Sequence, residues 1–316
     1  MSIQTNLFGE IVENEVLHSI TWSNSKIGFL ETCPRKYYFH YYGSKKRNAL
    51  SEPKKNELIF LSKLSNRYLF PGTVVHDIIR LFFINAKKGN AWDLNKLLWL
   101  AETKIKDAIS YSSEKRENII KEYKFEPTLL KEIYYQQIDE AEFKKELLDK
   151  VKKSITNFYN AEVFDELRQG GKQATSLIET AAEFEITPGI YVSGKIDIAY
   201  QNADQLFIVA DWKTGNNDED ETSLQLLVYA LWAVEEMKIP IENIRIRKAF
   251  LNSTTVDDLR YSQKELDRAK MRIIQSSESI KILDKYGVAA NEEAFTPCFQ
   301  PKVCALCPYE KICFKN

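Results

Sequence analysis

The sequence predicts an α/β fold, with a mixed central sheet flanked by helices, a long helical insertion and a cysteine-rich tail. Three observations predict it. Residues 71–89, "PGTVVHDIIRLFFINAKKG", repeat apolar side chains every three to four positions, the period of a half-buried helix. Between Gly89 and Gly170 there is no glycine and a single proline, Pro127, while Lys, Glu, Leu and Ile dominate; such a segment favours helix. After "RQGGKQAT" the texture changes to short runs rich in Ile, Val, Tyr and Phe, parted by turn residues, which reads as strands.

Taken in order, residues 1 to about 22 read as an irregular lead-in. "SNSKIGFLETCPRKYYFHYY" starts with capping residues and predicts a helix, a break at Cys33-Pro34 and a second helix. In 71–89 the apolar face is Val74, Val75, Ile78, Ile79 and Phe82, and Gly89 supplies the stop. The charge runs of 90–170 suit solvated helix faces. "SLIETAAEFEIT", "IYVSGKIDIAY" and "QLFIVADWK" predict three strands in a meander, turned at Pro188-Gly189 and at 202–204. A helix at about 223–237, a strand "NIRIRKAFL" and a polar helix at 261–284 follow, and the tail from Phe295 carries prolines and cysteines. The expected division is 1–70, an N-terminal segment with the first cysteine; 71–89, a core helix; 90–170, the helical insertion; 171–255, the sheet and its helix; and 256–316, the last helix and tail.

Composition narrows function only loosely. With 316 residues, 44 % apolar and 12 % aromatic, the chain can build a substantial core, and disorder is not expected. Its 44 basic and 45 acidic residues give a net charge of −1, so a globally basic nucleic-acid binder is not signalled, although a local basic groove remains compatible. No secretion signal or apolar run of membrane-spanning length stands out, and five cysteines, four of them crowded near the C-terminus, read poorly as a secreted disulfide framework. The expected location is the cytoplasm, without a membrane partner.

The chemistry concentrates where the third strand ends. Phe207, Val209, Asp211 and Lys213 share one face of that strand, and Leu206, Ile208, Ala210 and Trp212 the other. A carboxylate inside so apolar a strand needs a cation: either Lys213, as a structural pair, or a divalent metal shared with Asp197 on the preceding strand. Two carboxylates and a nearby backbone carbonyl suit Mg²⁺ or Mn²⁺. On the next helix Gln225 and Tyr229 lie one turn apart beside the apolar face of Leu224, Leu227, Val228 and Leu231, within reach of the strand end. His76, on the apolar side of the 71–89 helix, fits either a hydrogen-bonded core position or a metal ligand.

Together "GTVVH", "GKID", "DWK" and "QLLVY", in that order across residues 72–229, resemble the RecB-type branch of the PD-(D/E)XK nuclease superfamily. The resemblance implies a restriction-endonuclease-like core. It implies His76, Asp197, Asp211 and the Trp212 carbonyl as metal ligands, Lys213 as the catalytic lysine, and Gln225 and Tyr229 as the supporting helix motif. Glu183 and Glu185, on the first strand, sit where some members carry an acidic residue. Members cut DNA, often from single-stranded ends, which implies a metal-dependent DNA nuclease, first of all an exonuclease preferring single strands, in repair, CRISPR adaptation or phage defence. The alternatives are a catalytically silent DNA-binding or assembly subunit and a nuclease acting on RNA. The chain carries no "GxxxxGK[ST]" phosphate loop, so a helicase or other defence-system motor would be a separate partner polypeptide.

"CALCPYEKIC" places Cys304, Cys307 and Cys313 close together, and this trio needs a fourth ligand. Cys33, followed by Pro34, resembles the first ligand of the iron–sulfur subset of RecB-type nucleases, which includes AddB-type subunits and CRISPR-associated exonucleases. That resemblance implies a 4Fe–4S cluster on Cys33, Cys304, Cys307 and Cys313, stapling the two chain ends together. Zinc on Cys298, Cys304, Cys307 and Cys313 is the alternative. Around Cys33, the residues Arg35, Lys36, Tyr37, Tyr38, Phe39, Tyr41 and Tyr42 suit either core packing or a single-stranded DNA platform.

Overall fold

The structure, a computed structural model, describes residues 19–45, 52–114, 128–215, 224–285, 288–289 and 292–314. The expected lead-in before residue 19, the helical reading of 115–127 and the acidic loop at 216–223 lie outside them.

A strand that is apolar on both faces has to be covered on both. Phe207–Lys213 accordingly lies inside a six-stranded sheet. We number its strands β1 (Ile20–Trp22), β2 (Leu177–Thr187), β3 (Ile190–Gln201), β4 (Phe207–Lys213), β5 (Ile244–Phe250) and β6 (Thr255–Leu259). β2, β3 and β4 form the expected antiparallel meander, β5 runs parallel to β4, and β6 returns antiparallel on the edge. The main helices are α1 (Asn24–Thr32), α2 (Leu69–Lys87), α3 (Leu94–Glu114), α4 (Glu140–Asn160), α5 (Leu224–Glu235) and α6 (Gln263–Leu283).

The helices cover the sheet as two layers. Ile198, Ile208, Ala210 and Trp212 pack with α2, α3 and α4, whereas Ile196, Ala199, Val209 and Ile246 pack with α5 and α6. The Trp212 ring stacks on Phe83 at 6.4 Å and meets Phe158 edge-on at 5.4 Å. That anchorage fixes the rotation of β4, so its odd-numbered neighbours Asp211 and Lys213 face the other way. α2 begins two residues before the expected start, with Pro71 in a first turn that needs no amide proton, and Gly89 at φ +80° follows its C-cap. By length and composition α2 is the one helix among the described residues that could cross a membrane, yet its apolar face is buried in the core.

α3 and α4, from the expected helical insertion, pack on α2. α4 also braces the chain beyond β4. Asn157 donates to the Leu251 carbonyl at 2.8 Å, Ser154 to Asn252 at 2.9 Å, and Asn252 in turn to the Thr214 carbonyl at 2.5 Å.

Two readings are corrected. Residues 20–22 are not irregular but form β1, parallel to Ile190–Val192; three residues are too few for an alternation to be visible. β6 was not expected, because Asp257 and Asp258 give it the polar look of a loop, a common guise of an edge strand. Of the two fates open to the aromatic run after Cys33, core packing is the one found: Tyr37, Tyr38, Phe39 and Tyr42 are buried, in a cluster with Phe295 and Tyr309.

One irregularity positions the site. β2 lines one edge of β3 along most of its length. The other edge is shared: β1 takes Ile190–Val192, while β4 takes Ile198–Gln201. Between them β3 and β4 diverge, and residues 193–197 have no strand partner on that edge among the described residues.

Candidate active site

Asp197 is the first residue of β3 beyond its ladder with β4, and Asp211 the first of β4. Ladder amides are left unpaired at such a divergence and must find other acceptors. Here the Asp197 carboxylate replaces the missing strand: its Oδ2 accepts from the Trp212 amide at 2.8 Å. Its Oδ1 lies 3.0 Å from His76 Nδ1, and His76 Nε2 lies 3.0 Å from the Trp212 carbonyl. Both ring nitrogens therefore face acceptors, the pattern of an imidazolium. Burial opposes that charge, but Asp197, Asp211 and Glu179 outweigh it and raise the His76 pKa to about 9. Burial pushes the Asp197 carboxyl up, against the pull of His76 and the Trp212 amide.

Asp211 is only 3 % exposed. Its Oδ1 accepts from Gln225 Nε2 at 3.2 Å and lies 3.3 Å from the Tyr229 hydroxyl. Its Oδ2 has no hydrogen bond of acceptable direction, although the Lys213 ammonium stands 2.7 Å away as a charge partner. Lys213 Nζ also reaches Gln225 Oε1 at 3.4 Å. The Tyr229 hydroxyl accepts from Gln225 at 2.6 Å and reaches the Lys195 carbonyl, on the open stretch of β3, at 2.7 Å. Burial first, then the charges of Asp211 and Asp197, raise the Tyr229 pKa, so the phenol keeps its proton and can donate.

The residues singled out from the sequence thus come together: His76 from α2, Asp197 from β3, Asp211, Trp212 and Lys213 from β4, and Gln225 and Tyr229 from α5. Glu183 and Glu185 do not join them. Glu183 accepts from Ser193, at 3.3 Å, and Glu185 from the Gly189 amide, at 2.9 Å. The acidic residue that β2 does bring is Glu179, which the sequence reading passed over. One ligand atom each from His76, Glu179 and Asp197 lies within 4.8 Å of the others. Asp211 stands outside that trio, held by Lys213, Gln225 and Tyr229.

This donor set fits a hard divalent cation. Carboxylate oxygens with one imidazole nitrogen are what Mg²⁺ and especially Mn²⁺ accept, and Asp211 Oδ2, buried with only the Lys213 ammonium beside it, is an anionic atom that a cation would further stabilise. As a ligand His76 would have to be neutral, since metal binding displaces the proton.

Comparison with known proteins decides the family. A profile of the PD-(D/E)XK nuclease superfamily matches residues 21–314, nearly the whole chain. The chain belongs to the PD-(D/E)XK nuclease superfamily. The α/β architecture, a mixed sheet flanked by helices, agrees with that fold. No curated protein matches. Among solved structures, the crystal structure of SSO0001 is similar over 67 % of this chain and 84 % of that one, at 15 % identity and a TM-score of 0.31.

A second cluster lies in this PD-(D/E)XK chain between the two ends of the polypeptide. Cys33, Cys298, Cys304, Cys307 and Cys313 line one small pocket, all as free thiols. Cys33 is buried at the break between α1 and the next short helix, Pro34–Tyr38. The Cys298 thiol contacts those of Cys33 and Cys304. Burial raises the Cys307 pKa to about 11, against the Lys36 charge nearby; burial likewise raises Cys313, against that of Arg35. Protein contacts already join the ends here. Arg35 donates to the Phe295 carbonyl at 2.7 Å, and the Tyr309 hydroxyl lies 3.3 Å from His40 Nδ1.

Proposed function

We propose that this chain is a metal-dependent DNA nuclease that hydrolyses phosphodiester bonds, working in the cytoplasm as an exonuclease preferring single-stranded ends. The observation that carries the reading is the convergence of Asp197, Asp211 and Lys213 at the fork between β3 and β4, in a chain of a nuclease superfamily. His76, Asp197, Asp211 and the Trp212 carbonyl would hold one or two Mg²⁺ or Mn²⁺ ions. When bound, such an ion polarises a phosphate oxygen and acidifies a water.

The remaining steps belong to the protein. Lys213, held at 2.7 Å from Asp211 and 3.4 Å from Gln225, orients the attacking water and offsets charge developing on the phosphate oxygens. Gln225 and the protonated Tyr229 fix the Asp211 carboxylate from behind. The Asp197 carboxylate is fixed by the Trp212 amide. Preference for single strands is part of the proposal, as is a partner motor in repair, CRISPR adaptation or phage defence.

For the thiol pocket we propose a 4Fe–4S cluster on Cys33, Cys304, Cys307 and Cys313, supported by Cys33 meeting the C-terminal trio across the whole chain. Zinc on Cys298, Cys304, Cys307 and Cys313 is a second reading, favoured by the Cys298–Cys304 contact. Iron and acid-labile sulfide in brown, anaerobically purified protein would support the cluster; colourless protein with one zinc would replace it.

The activity is tested by incubating the protein and Mn²⁺ with end-labelled linear and circular single strands, linear duplex and RNA, beside Asp211→Ala. Loss of label from linear single-stranded DNA alone, absent in Asp211→Ala, is expected. Equal degradation by both proteins removes the mechanism. Binding without cutting by the unaltered protein would make this a silent assembly subunit.

A further inference from the structure

The sequence-derived ligand set leaves out Glu179, and the backbone singles that residue out. β2 and β3 pair continuously at Ile178↔Ile198 and Thr180↔Ile196, yet the position between them, Glu179 opposite Asp197, is skipped. At that point Glu179 has φ +49°, a left-handed conformation that costs any side chain other than glycine, asparagine or aspartate. On the alternation of β2, Glu179 shares parity with Glu183 and Glu185, which lie on the exposed side. Glu179 is nevertheless enclosed: its side chain is 10 % exposed, with Oε1 3.9 Å from His76 Nδ1. Its other oxygen is ion-paired with Lys195, whose own side chain is 65 % exposed. The adjacent Asp211 Oδ2, buried and met only by the Lys213 ammonium at 2.7 Å, adds a second buried carboxylate whose charge a cation would help to offset.

We propose that Glu179 is a ligand of the divalent cation, delivered by the break in β2, and that Lys195 competes with the cation for its carboxylate. A released Lys195 is an exposed ammonium beside the site, suited to a phosphate of the substrate strand. The inference rests on the nuclease reading above, and its test separates the two.

Mn²⁺ is titrated into the full chain and binding is followed by calorimetry and by loss of the free-ion electron-spin signal, with melting temperature as a fold check. Glu179→Gln and Glu179→Asn, the latter tolerant of a positive φ, should each weaken binding by about tenfold or more, and so should Asp197→Asn. Glu183→Gln should not. Lys195→Met should tighten binding, and that gain should disappear in a Glu179→Gln background, because competition through one carboxylate is non-additive. If Asp197→Asn loses Mn²⁺ while both Glu179 variants bind it normally, Glu179 is only the partner of Lys195 and the inference is overturned. If the unaltered protein binds no stoichiometric Mn²⁺, or Asp197→Asn binds it equally well, the nuclease reading itself falls and takes the inference with it.

Discussion

Replacing Tyr229 by phenylalanine deletes one oxygen and leaves the ring in place. That oxygen accepts from Gln225 at 2.6 Å, reaches the Lys195 carbonyl at 2.7 Å and lies 3.3 Å from Asp211 Oδ1. Gln225 keeps its bond to Asp211 at 3.2 Å, so the unavoidable loss is the partner of the Lys195 carbonyl, on the stretch of β3 where β4 has diverged. Losing a hydrogen bond to that part-buried carbonyl costs about 0.5–1.5 kcal/mol. At roughly 2–4 °C per kcal/mol for a large domain, Tyr229→Phe should melt a few degrees lower. Asp211 also loses one of the groups that orient it, and outer-shell losses of this kind reduce activity or metal affinity by roughly 10- to 100-fold. Calorimetric melting and a single-strand digestion time course in Mn²⁺ measure both effects. Unchanged melting together with full activity would refute the claim that this hydroxyl supports both the open strand and the carboxylate.

Lys213→Met should lower cleavage by about 100- to 1,000-fold while single-strand binding, read by gel shift, changes little, because the ammonium serves developing charge more than ground-state affinity. Gly171→Ala should destabilise by about 1–3 kcal/mol without altering cleavage per folded molecule; a Cβ there would fall 2.6 Å from Phe83 Cδ1 and 2.7 Å from Ile198 Cδ1. His40 is held neutral, its pKa lowered to about 4 by burial and then by Lys45, Lys36 and Lys63. An unfolded histidine titrates near 6.5, so the stability this neutral ring contributes is present above that pH and is lost as pH falls towards 4. Denaturant melts of the wild type and His40→Gln should therefore converge or cross over that window, the variant having the shallower acid slope.

The meander was legible because β-branched and aromatic residues alternate between turns across 176–213. Most of the candidate site was legible for a similar reason: a two-residue period puts Asp211 and Lys213 on one face, and one helical turn puts Gln225 beside Tyr229. Glu179 was not legible. Alternation groups it with the exposed Glu183 and Glu185, and only the fold shows it enclosed beside His76. The available signal was its place opposite Asp197, which becomes visible once the β2–β3 register is known. The aromatic run after Cys33 was ambiguous because rings suited to stacking on bases are equally suited to stacking on one another; Phe295 and Tyr309, some 250 residues away, resolve it.

The shortest strand of the six-stranded sheet carries a disproportionate consequence. By occupying Ile190–Val192, β1 holds the far end of the edge that β4 leaves, and it buries Ile20 and Trp22 against α5 and α6. Trimming the chain past Trp22 would strip that cover from the start of β3, the strand that carries Asp197. A deletion remote in sequence from every charged group of the fork would then loosen the scaffold on which one of its carboxylates stands.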